Sequence, residues 1–452
     1  MAGGDVQNNP GVCLPLPGGL VSPVPNDLPM NGPSSAASQL LGVDRRVLAL
    51  ALARMADAVG NSFLIIVLPL YVASEAVGGE VFGVPSSMIA GVVLALFGIA
   101  SSVAQPLAGR LSDRLGRRKV FVIGGLVILG AVNLAFVAAT AYWHLFLLRV
   151  FQGVAAAFTI TASLAIVNEL SDPGSRGGNM GVYNSFRLVG FGAGPLLASV
   201  LLEMGPFSLP GGMVVTGFEA TFGVAAATAF LGTGLVGLLV QDPEGTAPAP
   251  RRLSIRVWDR SGRRWGLDTI FALGIATLVM AICMALLSAI EPEVNARLGQ
   301  GPFLFAVEFV ALIAALAVFQ PLVGRASDRM GRKRFILLGL LGLVPTTLLQ
   351  GLVDAPWQMI VVRMFQGGAG ALVFAPALAL AGDHTRQGQS GAQLAVLTVA
   401  FGLGIAAGQL TAGFFVQFGF VVPFGIGALL ALGAAAMVAR EVQEAERAPR
   451  AA

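Results

Sequence analysis

QPLAGRLSDRLGRRKV, residues 105–120, returns almost unchanged as QPLVGRASDRMGRKRF at residues 320–335. The two strings begin 215 residues apart, and each sits where a long apolar run meets a burst of arginines. A second pair of strings keeps nearly the same register: RVFQG starts at Arg149 and RMFQG at Arg363, 214 residues later. Similarity between apolar helices would not by itself hold charged positions at one spacing, so the chain is an internal duplication.

The surroundings of these strings say where the chain lives. Of its 452 residues, 56% are hydrophobic and only 12% charged, and the mean hydropathy is +0.80. That is too little polar surface for a chain solvated by water. A bilayer core takes about 20 mostly apolar helical residues per crossing. Twelve runs meet that length: 47–72, 86–108, 120–140, 143–168, 180–204 and 216–240, then 267–290, 303–323, 335–353, 357–381, 391–416 and 420–439. A β-barrel would show ten-residue alternating strands instead. The expected fold is an all-α integral membrane protein, with six helices in 47–240 and six in 267–439, a cytoplasmic linker 241–266, and tails 1–46 and 440–452.

Lysine and arginine favour cytoplasmic loops. Of the 28, 23 fall in the tails and alternate loops of one side, Arg297 falls on the other, and Arg54, Arg149, Arg187 and Arg363 fall within spans. Both termini are therefore expected in the cytoplasm, with the chain in the plasma (inner cell) membrane. The high pI follows from these loops and requires no nucleic-acid partner. Residues 1–40, rich in Pro, Gly, Ser and Asn with no apolar stretch, read as a disordered tail rather than a signal peptide. The linker places six arginines around Trp258 and Trp265, a composition suited to the headgroup region. Cys13 and Cys283 form no disulfide framework or metal spacing, and no metal or cofactor is expected.

The motif between spans two and three, repeated between spans eight and nine, resembles the signature loop G-x-x-x-D-R-x-G-R-[KR] of the major facilitator superfamily of secondary transporters. Gly109, Asp113, Arg114, Gly116, Arg117 and Arg118 match it in the first half, and Gly324, Asp328, Arg329, Gly331, Arg332 and Lys333 in the second. The resemblance extends over Val47–Ala439 and implies two six-helix halves that rock about a central site; in the family this loop is associated with conformational switching. Physically, Gly109 and Gly116 permit a tight turn, and Asp113 can accept N–H groups at a helix N-terminus. An acid lies twenty residues after each R-x-F-Q-G arginine, Glu169 in one half and Asp383 in the other. Two latches follow as expectations, Asp113–Arg117–Glu169 and Asp328–Arg332–Asp383, holding the inner gate shut.

Charges inside the spans need partners or a cavity, since an arginine at the bilayer centre costs roughly 2.5–3.5 kcal/mol even on lenient scales. Arg149 and Arg363 match the family's fourth-helix motif, whose arginine the resemblance links to proton or substrate coupling. Arg54 and Asp57 share a helical face, and Asp57 lies about 16 Å into its span. Asp57 pairs either with Arg54 locally or with Arg149 as a protonatable couple. Glu308, at a depth similar to Arg363, is either a buried proton carrier or a vestibule carboxylate. Arg187 faces a cavity or reaches the inner interface. In the fifth span, Gly190, Gly194 and Pro195 resemble the family's antiporter motif G-x-x-x-G-P, although Ala198 and Ser199 replace a glycine pair that often follows; ordinary kinked packing is the alternative.

The resemblance implies a monomeric secondary transporter whose partners are lipid, protons and a small molecule. Its expected activity is proton-coupled efflux (antiport) of a hydrophobic or amphipathic compound by alternating access. One alternative is a proton symporter for a small organic acid or sugar, in which Arg54, Arg149 and Arg187 clamp a carboxylate. Another is a non-transporting membrane receptor or assembly protein on the same scaffold. An enzyme is disfavoured: His144 and His384 fall on opposite faces, and no nucleophile motif or P-loop appears.

Overall fold

The computed structural model describes residues 39–40, 43–74, 76–78, 83–171, 176–208, 210–242, 257–259, 266–383 and 390–444. The first half contains α1 (Arg45–Ala73), α2 (Ser86–Leu115), α3 (Arg118–Ala135), α4 (Tyr142–Glu169), α5 (Arg176–Met204) and α6 (Gly217–Leu239). The second contains α7 (Thr269–Ala285), the short α8 (Glu291–Leu298), α9 (Pro302–Met330), α10 (Arg332–Gln350), α11 (Pro356–Asp383), α12 (Ser390–Phe415) and α13 (Val422–Glu441). All but α8 are long and apolar enough to cross a bilayer, which gives twelve spans among the described residues. Three two-residue antiparallel hairpins decorate the ends: Gln39–Leu40 with Val43–Asp44, Phe207–Ser208 with Val214–Val215, and Trp258–Asp259 with Gly266–Leu267.

Residues 1–38, most of the linker and residues 445–452 lie outside the described residues, so the readings of the tails and of the headgroup-bound linker rest there. The first hairpin and the start of α1 do fall inside the stretch read as a tail. Arg45 opens the helix because the apolar pattern of Val47, Leu48 and Leu50 follows at once.

The largest departure from the sequence reading is at α2 and α9. They do not stop at residues 108 and 323 but continue as helix through most of the repeated motif, to Leu115 and Met330. Nothing in G-R-L-S-D-R breaks a helix. The break comes at Gly116, whose φ of 63° is the left-handed C-cap conformation glycine adopts without strain. Gly109 is therefore helical, and its role is proximity: a Cβ there would stand 3.3 Å from Thr161 of α4.

Outward-facing positions are apolar and uncovered, as at Leu238 (87% exposed) and Leu429 (71% exposed), which is stable against lipid and not against water. The halves meet along two seams. Along one, α2 packs on α12: a Cβ on Gly413 would stand 2.4 Å from the Ser87 carbonyl, one on Gly91 2.7 Å from that of Gln409, and one on Gly402 2.6 Å from Ser102 Oγ. Along the other, the Phe191 ring of α5 packs tilted against Phe309 of α9 with centroids 5.5 Å apart, and Glu203 Oε1 accepts from Phe303 N at 3.2 Å. Both seams lie in the parts of these helices remote from the arginine-rich turns. A single apolar cluster joins Val67, Leu68 and Ile89 to Leu287, Val294 and Leu298 there, whereas separate clusters serve each half at the arginine-rich end. The conformation is thus sealed at its arginine-poor end.

Candidate functional site

Arg149 stands seven residues into α4, about 10 Å from the arginine-poor end. It is 3% exposed, and its guanidinium is fully engaged. Nε donates to Val93 O at 3.1 Å, Nη2 to Leu94 O at 3.3 Å and Nη1 to Gln152 Oε1 at 2.9 Å, while the Phe97 ring lies 4.7 Å away. Gln152 Nε2 in turn donates to Asn133 Oδ1 at 2.6 Å. The second half repeats the device with changed ends. Arg363 Nη1 donates to Gln366 Oε1 at 2.8 Å and to Met284 O at 3.1 Å, and Gln366 Nε2 reaches Cys283 O at 3.0 Å. The glutamine of each R-x-F-Q-G string is therefore the arginine's partner, a role the sequence reading did not assign. The glycine that ends the string brings α2 or α9 close: a Cβ on Gly153 would stand 2.6 Å from Phe97 O, and one on Gly367 2.3 Å from Leu312 O.

Asp57, 4% exposed, pairs with Arg54 three residues earlier; the local couple forms and the Arg149 couple does not. The two remain linked indirectly. Asp57, Asn61, Asn133 and Gln152 line one small cavity of about 10 Å³, room for about a single water. On the other side, Tyr183 of α5 shares a hydrogen bond with Ser163 Oγ at 2.6 Å and lies within electrostatic reach of Asp57, Arg54 and Arg187. Arg187 donates to Asn184 Oδ1 at 3.2 Å. Tyr183 carried no sequence signal, because one tyrosine in an apolar helix reads as packing.

Glu308 is fully buried, not a vestibule carboxylate in this conformation. Its Oε1 accepts from Gln300 Nε2 at 2.9 Å, and Oε2 has no partner. Arg363 lies within its electrostatic reach, but no direct ion pair joins the two among the described residues.

At the repeated motif the first latch is corrected. Arg118, not Arg117, is the cation: its Nη2 lies 3.1 Å from Asp113 and 2.6 Å from Glu169, while Arg117 points to solvent. The reason is the turn. Arg117 is the non-helical N-cap of α3 with φ −113°, so the first helical side chain, Arg118, is the one directed at the ends of α2 and α4. Asp113 is consequently occupied by Arg118, and the helix N-terminus it was expected to cap is capped by Asp242, which accepts from Lys119 N at 2.6 Å. In the second half Arg332 bridges Asp328 and Asp383, and Glu444 caps the helix through Arg332 N at 2.6 Å. Each of these ion pairs joins helices of a single half and so stiffens that half.

Gly190 and Gly194 seat α5 on α1, where Cβ atoms would stand 2.3 Å from Met55 O and 2.7 Å from Val59 O. Gly404 and Gly408, each 214 residues later, seat α12 on α7 equally tightly, 2.3 Å from Leu278 O and 2.5 Å from Ile282 O. Close packing thus accounts for the glycines in both halves, and Pro195 is what only the first half has. His144 is structural, its Nδ1 accepting from Ala141 N at 3.1 Å. His384 lies outside the described residues.

Twelve spans in two matched halves, with buried arginine networks and a seam at one end, define a membrane carrier. A sequence profile of the Major Facilitator Superfamily matches residues 50–273 and 269–452, and the chain belongs to that superfamily. It is a transporter, not an enzyme. Multidrug resistance protein MdtG of Salmonella choleraesuis (strain SC-B67) is 24% identical over 326 residues, 71% of this chain and 76% of that protein. Tetracycline resistance protein, class C, of Escherichia coli is 28% identical over 323 residues, 68% of this chain and 76% of that protein. Among solved structures, a bacterial homologue of the human lysosomal transporter Spinster, inward-facing and occupied, has a TM-score of 0.67 at 16% identity, covering 87% of this chain and 95% of that one. The human organic anion transporter MFSD10 has a TM-score of 0.64 at 20% identity, covering 87% and 99%.

Proposed function

We propose that the chain exports a hydrophobic or amphipathic small molecule from the cytoplasm in exchange for protons, as a monomer in the plasma membrane with both termini inside. The observation that carries this reading is Asp57, buried about 18 Å into α1 from Arg45 with one local cation as partner and a polar cavity beside it. A proton on Asp57 removes the charge that holds Arg54. Proton and substrate then act on the same local electrostatics, so binding one weakens the other, and each biases a different state of the halves. Arg187, whose described partner is the neutral Asn184, is suited to the polar end of an amphipathic substrate. The resistance functions in the names of the two curated relatives support export.

The test is proton movement in proteoliposomes under an imposed pH gradient, with lipophilic cations and organic acids as substrates. Asp57→Asn is expected to abolish substrate-driven proton flux, and Glu308→Gln to reduce it. Flux in the same direction as substrate would establish symport instead, and unchanged flux in both variants would sink the assignment of these acids.

A further inference from the structure

The short helix α8 follows α7 at the arginine-poor end and packs against α1, with Val294 and Leu298 inside the cluster that seals the two halves there. Its first residue, Glu291, is 0% exposed, and neither of its carboxylate oxygens has a hydrogen-bond partner. Glu308 of α9 stands close enough to act on it electrostatically, and its own Oε2 is unpartnered. Between them Gln300 donates to Glu308 Oε1 at 2.9 Å and to Asn295 Oδ1 at 3.3 Å, while Gln300 Oε1 remains without a donor. The site is a pool of buried acceptors short of hydrogens.

Among the described residues no cation supplies the deficit at Glu291. Arg297, on α8 itself, is paired with Asp354 at 2.9 Å. Arg363, behind Glu308 on α11, is bonded to Met284 O and Gln366. The titratable group at that end of α1 is Tyr71, whose hydroxyl donates to Ala139 O at 3.0 Å, and the turn Leu286–Ala289 brings none. Glu293, also on α8, lies beside Ser87 of α2 and adds a further acid. An ionised carboxylate has only the Asn295 amide to stabilise it in such a place, whereas a neutral carboxyl carries the missing O–H itself.

We propose that Glu291, with Glu308 and Gln300 beside it, is a proton-binding site whose occupancy is tied to closure of the arginine-poor end. In the closed state the Glu291 carboxyl is neutral and donates into the acceptor pool. When the halves part there and α8 leaves α1, water reaches the carboxyl, the proton passes to that water, and the carboxylate is hydrated. Burial pushes Glu291 well above the usual carboxylate range; the Asn295 side chain pulls against this and the charge of Glu308 adds to the push. The sign follows: closure takes up one proton, so the closed form is fully favoured below the ordinary carboxylate range. Its ratio to the open form falls about tenfold per pH unit between that range and the raised value.

This extends the proton-exchange reading but is read out without substrate, so a failure of that reading would leave it standing. In the protein in lipid nanodiscs, with Cys13→Ser and Cys283→Ser, nitroxides on Met213→Cys and Leu352→Cys report the separation of the two halves at the arginine-poor end. Pulsed electron resonance distances are taken from about pH 5 to about pH 9, a range that brackets a raised carboxyl. The short-distance population is expected to fall as pH rises, and to persist at every pH in Glu291→Gln and in Glu291→Met. A wild-type distribution insensitive to pH would overturn the proposal. So would a wild-type midpoint retained in Glu291→Gln, or a response removed only by Glu293→Gln.

Discussion

At the first half's turn the bridging cation is Arg118 and at the second half's it is Arg332, yet the repeat alignment pairs Arg332 with Arg117. The difference lies in one backbone residue. In the first half Gly116 ends α2 and Arg117 intervenes before α3; in the second, Gly331 ends α9 and starts α10 by itself. What the halves share is a place in the fold, the first residue of the helix after the turn, rather than a column of the alignment. The two bridges also differ in shelter. Arg118 is 6% exposed against acids at 24% and 22%, whereas Arg332 faces acids at 56% and 43%. Each acid ends or nearly ends a helix, where the dipole disfavours a negative charge, so the cation offsets a local penalty as well as pairing.

The largest expected effect tests whether the helix crossings are equivalent. Gly194→Leu and Gly408→Leu each place a side chain against a facing carbonyl and should cost about 1–3 kcal/mol or more, read as lowered thermal midpoints of the purified protein. Loss confined to the first half would give its glycine pair a role beyond packing. Next, Arg118→Ala should lower transport about tenfold, because it leaves two sheltered acids facing each other; the fully buried magnitude is discounted for their partial exposure. Arg332→Ala should cost no more than about fivefold, since exposed pairs contribute about 0–1 kcal/mol. Arg117→Ala should change little, and a loss as large as that of Arg118→Ala would contradict the one-residue shift. Smallest are the capping acids: Asp242→Ala and Glu444→Ala should each destabilise by about 0.3–1 kcal/mol, less at high salt, in denaturation midpoints measured at two ionic strengths.

Most of the fold was legible because its signals are long. Twelve apolar runs, the duplicated motif and the buried arginines of R-x-F-Q-G need only length, charge and spacing, and the structure shows helices at all twelve runs. The latch cation was not legible, because Arg117 and Arg118 differ only in a backbone angle set by the turn. Asp242 and Glu444 stand 202 residues apart, off the repeat spacing, so register offered no hint that they do the same job. Gly404 and Gly408 do keep the 214-residue spacing from Gly190 and Gly194, a correspondence hidden by the missing second proline. Glu291 carries no sequence signal, since burial of a charged residue near a span's end is decided by what packs over it.

The seam between α2 and α12 occupies residues 87–102 of a helix that runs on to Leu115. The remaining thirteen residues run beyond the seam, packed on α4 of their own half, as an arm about 20 Å long at 1.5 Å per residue. Each degree of rotation about the end of the seam therefore swings the tip of that arm by about a third of an ångström. The small residues that make the seam tight fix the fulcrum, and the arginine-rich turn rides at the far end of the lever, where a small rotation has its greatest reach.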